Sequence, residues 1–257
     1  MMIAVLFLLG LSFGSFLLVV VDRLRTHESF VKGRSHCDFC KHTLAWYDLI
    51  PVVSFCLTGG TCRYCKRRLS FAYPLTELLC GLLFIVTFVL LPPVNASVMS
   101  ALLILLLLVN MSLFVIFFSD LFHGTIPFAV VAVATIAALV YILLTNIAAV
   151  PEHVISGCIA FLFFLLLFFV TRGRGIGFGD VVYGFFMGFF LGFPGIIVGL
   201  YLAFLTGAAV SLILVLAGKK KLTGSTISFG PFLVVGTFIA FYFGNELYRL
   251  MLAALHL

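Results

Sequence analysis

Asp120 and Asp180 are the residues of this chain best placed to do chemistry. The sequence holds only nine acidic side chains in 257 residues, and each of these two stands where a long apolar run meets a polar loop. Asp22, Glu28, Asp38, Asp48 and Glu77 fall in or beside one N-terminal polar loop, while Glu152 and Glu246 sit towards the opposite face. A carboxylate near hydrocarbon costs several kcal/mol unless it is paired, protonated or hydrated, which makes it a functional-site candidate by default. Two at one depth suggest a dyad. Like charges close together cannot both ionise, so one proton is shared: one carboxylate activates water while the other acid protonates a carbonyl or a leaving amine. That is the metal-free chemistry of an aspartyl protease. Such a pair titrates as a unit, and neither member is assigned permanently as acid or base.

Each aspartate also has a plainer account. Asp120, in Phe118-Ser119-Asp120-Leu121-Phe122-His123-Gly124-Thr125-Ile126-Pro127, could cap a turn before a helix opened by Pro127. Asp180 ends the stretch Gly173-Arg174-Gly175-Ile176-Gly177-Phe178-Gly179-Asp180 and is a favoured helix N-cap. No strand precedes these glycines, so they do not form a dinucleotide fingerprint. Gly177 and Gly179 instead let the backbone approach an extended peptide or another helix. Capping leaves a second carboxylate oxygen free. His123 either orients the dyad or faces lipid headgroups, and Glu77 either caps its helix or pairs with a loop arginine. A transporter passing protons or ions between inward carboxylates is a different class of reading that the pair alone also fits. A membrane methyltransferase with structural aspartates is a third.

A second constellation reads Cys37-Asp38-Phe39-Cys40, then 21 residues, then Cys62-Arg63-Tyr64-Cys65. Two Cys-x2-Cys knuckles at this separation match a tetrahedral zinc held by four cysteines, with unmetallated thiols or a redox pair as the alternative. Lys41, Arg63, Lys66 and Arg67 would offset the thiolate charge. Four protein ligands close the site, so such a metal would be structural. The reducing side of a membrane also disfavours disulfides.

These groups are carried by an overwhelmingly apolar chain. Hydrophobic residues make up 64% of it, charged residues 9%, and phenylalanine alone occurs 31 times. No soluble domain of this length could cover so much apolar surface, so the class is an all-α polytopic membrane protein. The net charge of +6 belongs to loops that orient the chain in a bilayer, not to a nucleic-acid surface. A crossing takes about 20 apolar residues. Eight candidate spans are expected, at roughly 2–21, 75–91, 97–119, 127–147, 153–171, 180–193, 195–217 and 229–251. Met1 to Val21 lacks a basic n-region and runs into Asp22-Arg23-Leu24-Arg25, so it reads as a retained helix rather than a signal peptide. Three parts are expected: the first transmembrane helix, 1–21; a small cytoplasmic four-cysteine loop module, 22–74; and a multi-helix domain bearing the aspartates, 75–257. No internal repeat is evident. Nine of the fifteen lysines and arginines lie between Arg23 and Arg68, and an outside N-terminus puts fourteen of the fifteen in the cytoplasm. The same topology places Asp120 and Asp180 at the cytoplasmic ends of their helices.

The chain resembles the type IV prepilin peptidase family, the prepilin leader peptidases and N-methyltransferases among the Gly-x-Gly-Asp membrane aspartyl proteases. The resemblance runs nearly end to end. It is carried by Gly14-Ser15-Phe16 with Arg23-Leu24, by Arg34 to Cys40, by Trp46-Tyr47-Asp48-Leu49-Ile50-Pro51-Val52 and by Cys62 to Cys65. Tyr73-Pro74-Leu75 with Glu77-Leu78, Ser119-Asp120 with Ile126-Pro127, Gly177-Phe178-Gly179-Asp180 and Phe229-Gly230-Pro231-Phe232 complete it. The resemblance implies Asp120 and Asp180 as the catalytic pair. It implies cleavage of type IV prepilins or pseudopilins just after a glycine, at the cytoplasmic face of the bacterial inner membrane, in the service of pili, secretion or competence. It further implies methylation of the new N-terminus with S-adenosylmethionine, which nothing in composition or spacing indicates. Three positions depart from the family pattern: Val182 replaces a common lysine, Phe128 a common acid and Leu18 a common asparagine.

Overall fold

A backbone surrounded by hydrocarbon must satisfy its own polar groups, and a helix does so within one segment. The computed structural model describes residues 1–26, 35–37, 39–91, 96–173, 175–218 and 228–254. Among them the regular elements are helical: α1 (Met2–Thr26), α2 (Val53–Leu57), α3 (Ala72–Val89), α4 (Ala96–His123), α5 (Phe128–Thr145), α6 (Val150–Val170), α7 (Phe178–Leu191), α8 (Gly195–Leu216) and α9 (Gly230–Ala254). Seven of these are long and apolar enough to cross a membrane, which makes the chain a multi-pass membrane protein. The remaining long element, α7, has 14 residues, about 21 Å at 1.5 Å per residue, and is short of a full crossing.

The chain divides into two compact units, Met1–Pro93 and Val94–Leu257. In the first, α1 lies along α3. Gly10 and Gly14, one turn apart, make this possible: a β-carbon on Gly10 would come within 2.7 Å of the Gly81 Cα, and one on Gly14 within 2.8 Å of the Glu77 Cα. Lipid offers no hydrophobic gain for joining two apolar helices, so they associate where small residues let the backbones touch.

In the second unit α4 packs on α5 and α9, α5 on α7, α6 on α7, and α8 on α9. The α6–α7 contact closes over Gly188, where a β-carbon would meet the Ser156 carbonyl oxygen at 2.5 Å. The phenylalanines of α7 turn inwards and stack, Phe186 on Phe190 and Phe190 on Phe241 of α9, with ring centroids 5.7 and 4.4 Å apart. These phenylalanines therefore serve chiefly as packing, and most of α7 is covered by its neighbours.

Helix ends differ from the hydropathy reading where polar residues continue a helix. The first helix runs through Asp22 and Arg23 to Thr26, and α4 runs through Asp120 to His123. Asp120 therefore lies inside the last turn of its helix instead of capping it.

Candidate functional site

Asp120 and Asp180 both belong to the second unit and both are buried, 5% and 7% exposed. Their settings are alike. Asp180 is the third residue of α7, not its N-cap: Gly177 holds that place with extended backbone. The Asp180 N–H donates to the Gly177 carbonyl at 3.1 Å, while the Gly177 N–H donates to Asp180 Oδ2 at 2.9 Å. Two donors that a helix start leaves unpaired are thereby satisfied reciprocally. Asp120 Oδ2 accepts the N–H of Gly230, first residue of α9, at 2.9 Å across 110 positions of sequence. Each carboxylate thus uses one oxygen on a backbone donor at a helix start, where the peptide dipoles favour an anion.

Glycines admit the neighbouring chain at both places. A β-carbon on Gly179 would press on the Ile126 side chain at 3.0 Å, so this glycine lets the start of α7 close against the turn before α5. Ser119, beside Asp120, donates to the Thr125 carbonyl at 2.9 Å and ties the end of α4 to the same turn. Deeper in the unit, Tyr183 and Thr237 are hydrogen-bonded at 2.8 Å with both side chains fully buried. Thr237 spends its own proton on the Leu233 carbonyl at 2.8 Å, so Tyr183 is the donor. The bond ties α7 to α9 one turn beyond Asp180 and two turns beyond Gly230. His123 is half-buried with its ring edge-on to Phe122, and Phe128 is exposed beside the Phe178 ring.

The four cysteines sit in the first unit, and their sulfurs all lie within 4.8 Å of one another. The fold here repeats itself. Cys37 N–H donates to the His42 carbonyl and Lys41 N–H to the Cys37 carbonyl; 25 residues on, Cys62 N–H donates to Arg67 and Lys66 N–H to Cys62. Short antiparallel bridges pair His36 with Thr43 and Thr61 with Arg68. Lys41 and Lys66 occupy the left-handed region, φ 54° and 58°, which turns each chain back after its second cysteine. Reading the sequence for repeats misses this, because the likeness lies in backbone turns and the residues kept are few: the cysteines, the lysine after each pair, and Leu44 with Leu69. Burial pushes the Cys37 thiol up, but the Cys40 and Phe39 N–H groups and the neighbouring sulfurs outweigh it and bring the thiol down to about 7. The cluster is a site that could hold a metal ion.

Among the described residues Glu77 neither caps its own helix nor pairs with an arginine. It is buried on α3 and accepts the Val52 N–H at 2.7 Å and the Ser15 hydroxyl. Val52 is itself strained, a β-branched residue at φ 60°, so the carboxylate pins a costly turn to the helix pair. Asp48 binds the second knuckle through Arg63 Nε at 2.9 Å and the Tyr64 hydroxyl at 3.0 Å. Between this module and the helix pair lies a cleft of about 660 Å³ reached by Ser12, Ser15, Asp48 and Glu77.

Known proteins match the chain in two blocks. Residues 8–91 match the bacterial peptidase A24 N-terminal domain, and residues 107–212 match the type IV leader peptidase family. Similar curated proteins include a prepilin leader peptidase/N-methyltransferase of Myxococcus xanthus, 32% identical over 82% of this chain and 63% of that protein. This chain therefore spans under two thirds of the length of that relative. A protein of the same description from Bacillus subtilis is 27% identical over 96% of both chains, and one from Burkholderia pseudomallei is 29% identical over 98% of this chain and 88% of its own. No solved structure matches. The two matched blocks and the full-length relatives agree, and the chain belongs to the type IV leader peptidase family.

Proposed function

We propose that this protein is a membrane-embedded aspartyl endopeptidase that removes the leader of type IV prepilins or pseudopilins after a glycine. The observation that carries the proposal is the matched pair of buried carboxylates, each fixed through Oδ2 by a backbone N–H at a helix start, on two helices that close on the same turn before α5. With Oδ2 of each so held, the pair has Oδ1 to offer a water molecule and a peptide carbonyl. One carboxylate takes the proton as the water oxygen bonds to the scissile carbon, and the other hands its proton to the carbonyl oxygen. Collapse of the tetrahedral intermediate breaks the C–N bond: the acid that took the water's proton passes it to the departing amine, the other carboxylate recovers a proton from the intermediate's hydroxyl as the carbonyl re-forms, and the dyad is back in its one-proton state. Gly177 and Gly179 support the site in different ways: Gly177 leaves room for an extended substrate backbone beside Asp180, and Gly179 lets the turn at Ile126 close against the helix that carries it.

The four thiols fit zinc. Tetrahedral ligation at about 2.3 Å puts sulfurs about 3.8 Å apart, and Cys37 Sγ stands 3.9 Å from Cys65 Sγ. In this reading Cys37, Cys40, Cys62 and Cys65 hold a structural ion that fixes the two knuckles and takes no part in hydrolysis. The lysine and arginine distribution supports an outside N-terminus, a cytoplasmic cysteine module and residence in the bacterial inner membrane. The second activity in the relatives' names extends the proposal to N-methylation of the new N-terminus. S-adenosylmethionine would supply the methyl group, and no step of the hydrolysis passes through it.

Incubating the purified protein with a prepilin-like peptide and locating the cut by mass spectrometry tests the reading. Cleavage on the carboxyl side of the boundary glycine supports it. An uncut peptide, or a cut elsewhere, overturns it.

A further inference from the structure

The segment between α1 and α3 is polar in composition, yet it turns a row of large apolar side chains outwards. Trp46, Val53, Leu57 and Phe71 are 76%, 50%, 78% and 79% exposed, and Ile50 is exposed with them. On α2 itself Val53 and Leu57, one turn apart, point outwards, while Ser54 and Thr58 line the inner cleft. A patch of this kind on a folded protein marks a surface made to be covered.

Two contacts fix the depth at which it sits. The Phe55 ring of α2 packs edge-on against Phe71, 5.3 Å between centroids, and Phe71 immediately precedes α3. The Val52 N–H reaches Glu77, which lies five residues, about 8 Å, into that apolar helix. So α2 is held level with the first turns of a membrane-spanning helix. The exposed apolar stripe of α3, Leu75, Leu78 and Leu82, continues directly into Phe71. Cations stand beside the aromatics: the Arg63 guanidinium lies 5.1 Å from the Tyr47 ring centre and that of Arg67 5.1 Å from Phe39, with Lys66 and Arg68 also exposed. Aromatic and aliphatic side chains flanked by arginine and lysine are the composition of an element lying in the headgroup layer.

We propose that the Trp46–Leu57 segment is a membrane-surface anchor: α2 and the turn before it lie in the headgroup and upper acyl layer of the bilayer, so the cysteine module rests on the membrane. The occupant of the apolar face is lipid, and its anionic headgroups meet Arg63, Lys66, Arg67 and Arg68.

Trp46 is the chain's single tryptophan and reports on its own surroundings. The full protein would be reconstituted in vesicles of one part phosphatidylglycerol to three parts phosphatidylcholine, so that anionic headgroups are present for the four cations. Phosphatidylcholine carrying a spin label near the top of its acyl chain is then expected to lower Trp46 emission at least two-fold, and iodide in the buffer to change it little. The Leu57→Glu variant, with α2 disfavoured in lipid, should regain most of that emission and become sensitive to iodide. Strong iodide quenching in the parent protein would put the face in water and overturn the proposal. Protection from both quenchers would mean that protein covers it. Lipid quenching that fades as protein density rises would point to a second copy, and quenching lost on adding a prepilin-like peptide to a substrate seat. Each of these three results also overturns it.

Discussion

The backbone N–H of Gly230 donates to Asp120 Oδ2 at 2.9 Å, and a β-carbon on Gly230 would stand 2.5 Å from that same oxygen. The start of α9 therefore does two things for the carboxylate. It supplies a donor, and by lacking a side chain it lets the carboxylate come close enough to use it. Asp180 obtains the same kind of donor from Gly177, three residues away on its own chain. One aspartate is held locally and the other by a helix that arrives 110 residues later.

Gly230→Ala should accordingly injure the peptidase without unfolding it. The added methyl displaces Asp120 by a fraction of an ångström, and misplacement on the ångström scale costs on the order of 10²-fold in rate. The fall is expected in kcat, with KM nearly unchanged. Parental kcat in a well-folded Gly230→Ala protein would contradict the role assigned to this contact.

Asp120→Asn and Asp180→Asn should each lower cleavage by on the order of 10³-fold or more, because a shared-proton pair needs both acids. Asparagine keeps the volume and the acceptor oxygen, so the helix-start hydrogen bonds and membrane insertion should persist. Full processing by either single variant, followed with a prepilin-like peptide, would remove that residue from the mechanism.

Zinc is expected at about one ion per chain, since a closed four-thiolate site binds tightly and contributes its binding energy to folding. Elemental analysis of protein kept reduced throughout is the measurement. Replacing Cys37 and Cys40 together by serine should eliminate the metal and increase hydrogen exchange across residues 39–69. A metal-free parent protein would reject the assignment.

The Tyr183–Thr237 bond predicts an asymmetry. Tyr183→Phe removes the donor and leaves Thr237 still bonded to Leu233, a loss near the average of about 0.6 kcal/mol for such bonds between membrane helices. Thr237→Val strands the buried Tyr183 hydroxyl without an acceptor, which costs about 1–3 kcal/mol. Thermal unfolding in detergent should therefore rank Thr237→Val as the less stable, and the opposite order would show that the donor has been misassigned.

Asp48 gives a pH-dependent test in the cysteine module. Burial pushes its carboxyl up, but the Tyr64 hydroxyl, the Ala45 N–H and Arg63 outweigh this and hold it below the usual range. A group whose folded value is depressed stabilises above its unfolded value, about 3.9, and loses that contribution as pH falls through the folded one. Asp48→Asn should thus raise hydrogen exchange over residues 46–64 at neutral pH, with the difference from the parent shrinking below about pH 3.9. An identical difference at both pH values would assign the effect to packing instead of charge.

Much of this architecture was legible in the sequence, and the reasons are local. A run such as 195–217 is apolar over its whole length and bounded by Pro194-Gly195, and α8 fills it from Gly195 to Leu216. The ends of α1 and α4 were not legible, because hydropathy falls at Asp22 and Asp120 while the helical hydrogen bonding continues. The cysteine spacing located the thiol cluster, since two short knuckles can meet in few ways. The contact of Glu77 was not legible, for the opposite reason. Its partner is the backbone of Val52, 25 residues away, and no side-chain pattern marks a backbone donor. The same holds for Gly230 and Asp120: the glycine is visible in the sequence, but the oxygen that needs it lies on another helix.

Helices α7 and α8 meet at one turn, Gly192–Pro194, yet they run about 21 and about 33 Å, for 14 and 22 residues. Helix α7 is thus about 9 Å short of a hydrocarbon core about 30 Å thick. Backbone that makes up such a shortfall outside a helix must find its hydrogen bonds in protein or water, because lipid offers none. The Gly177 N–H, taken by Asp180 Oδ2, is one such donor already provided for.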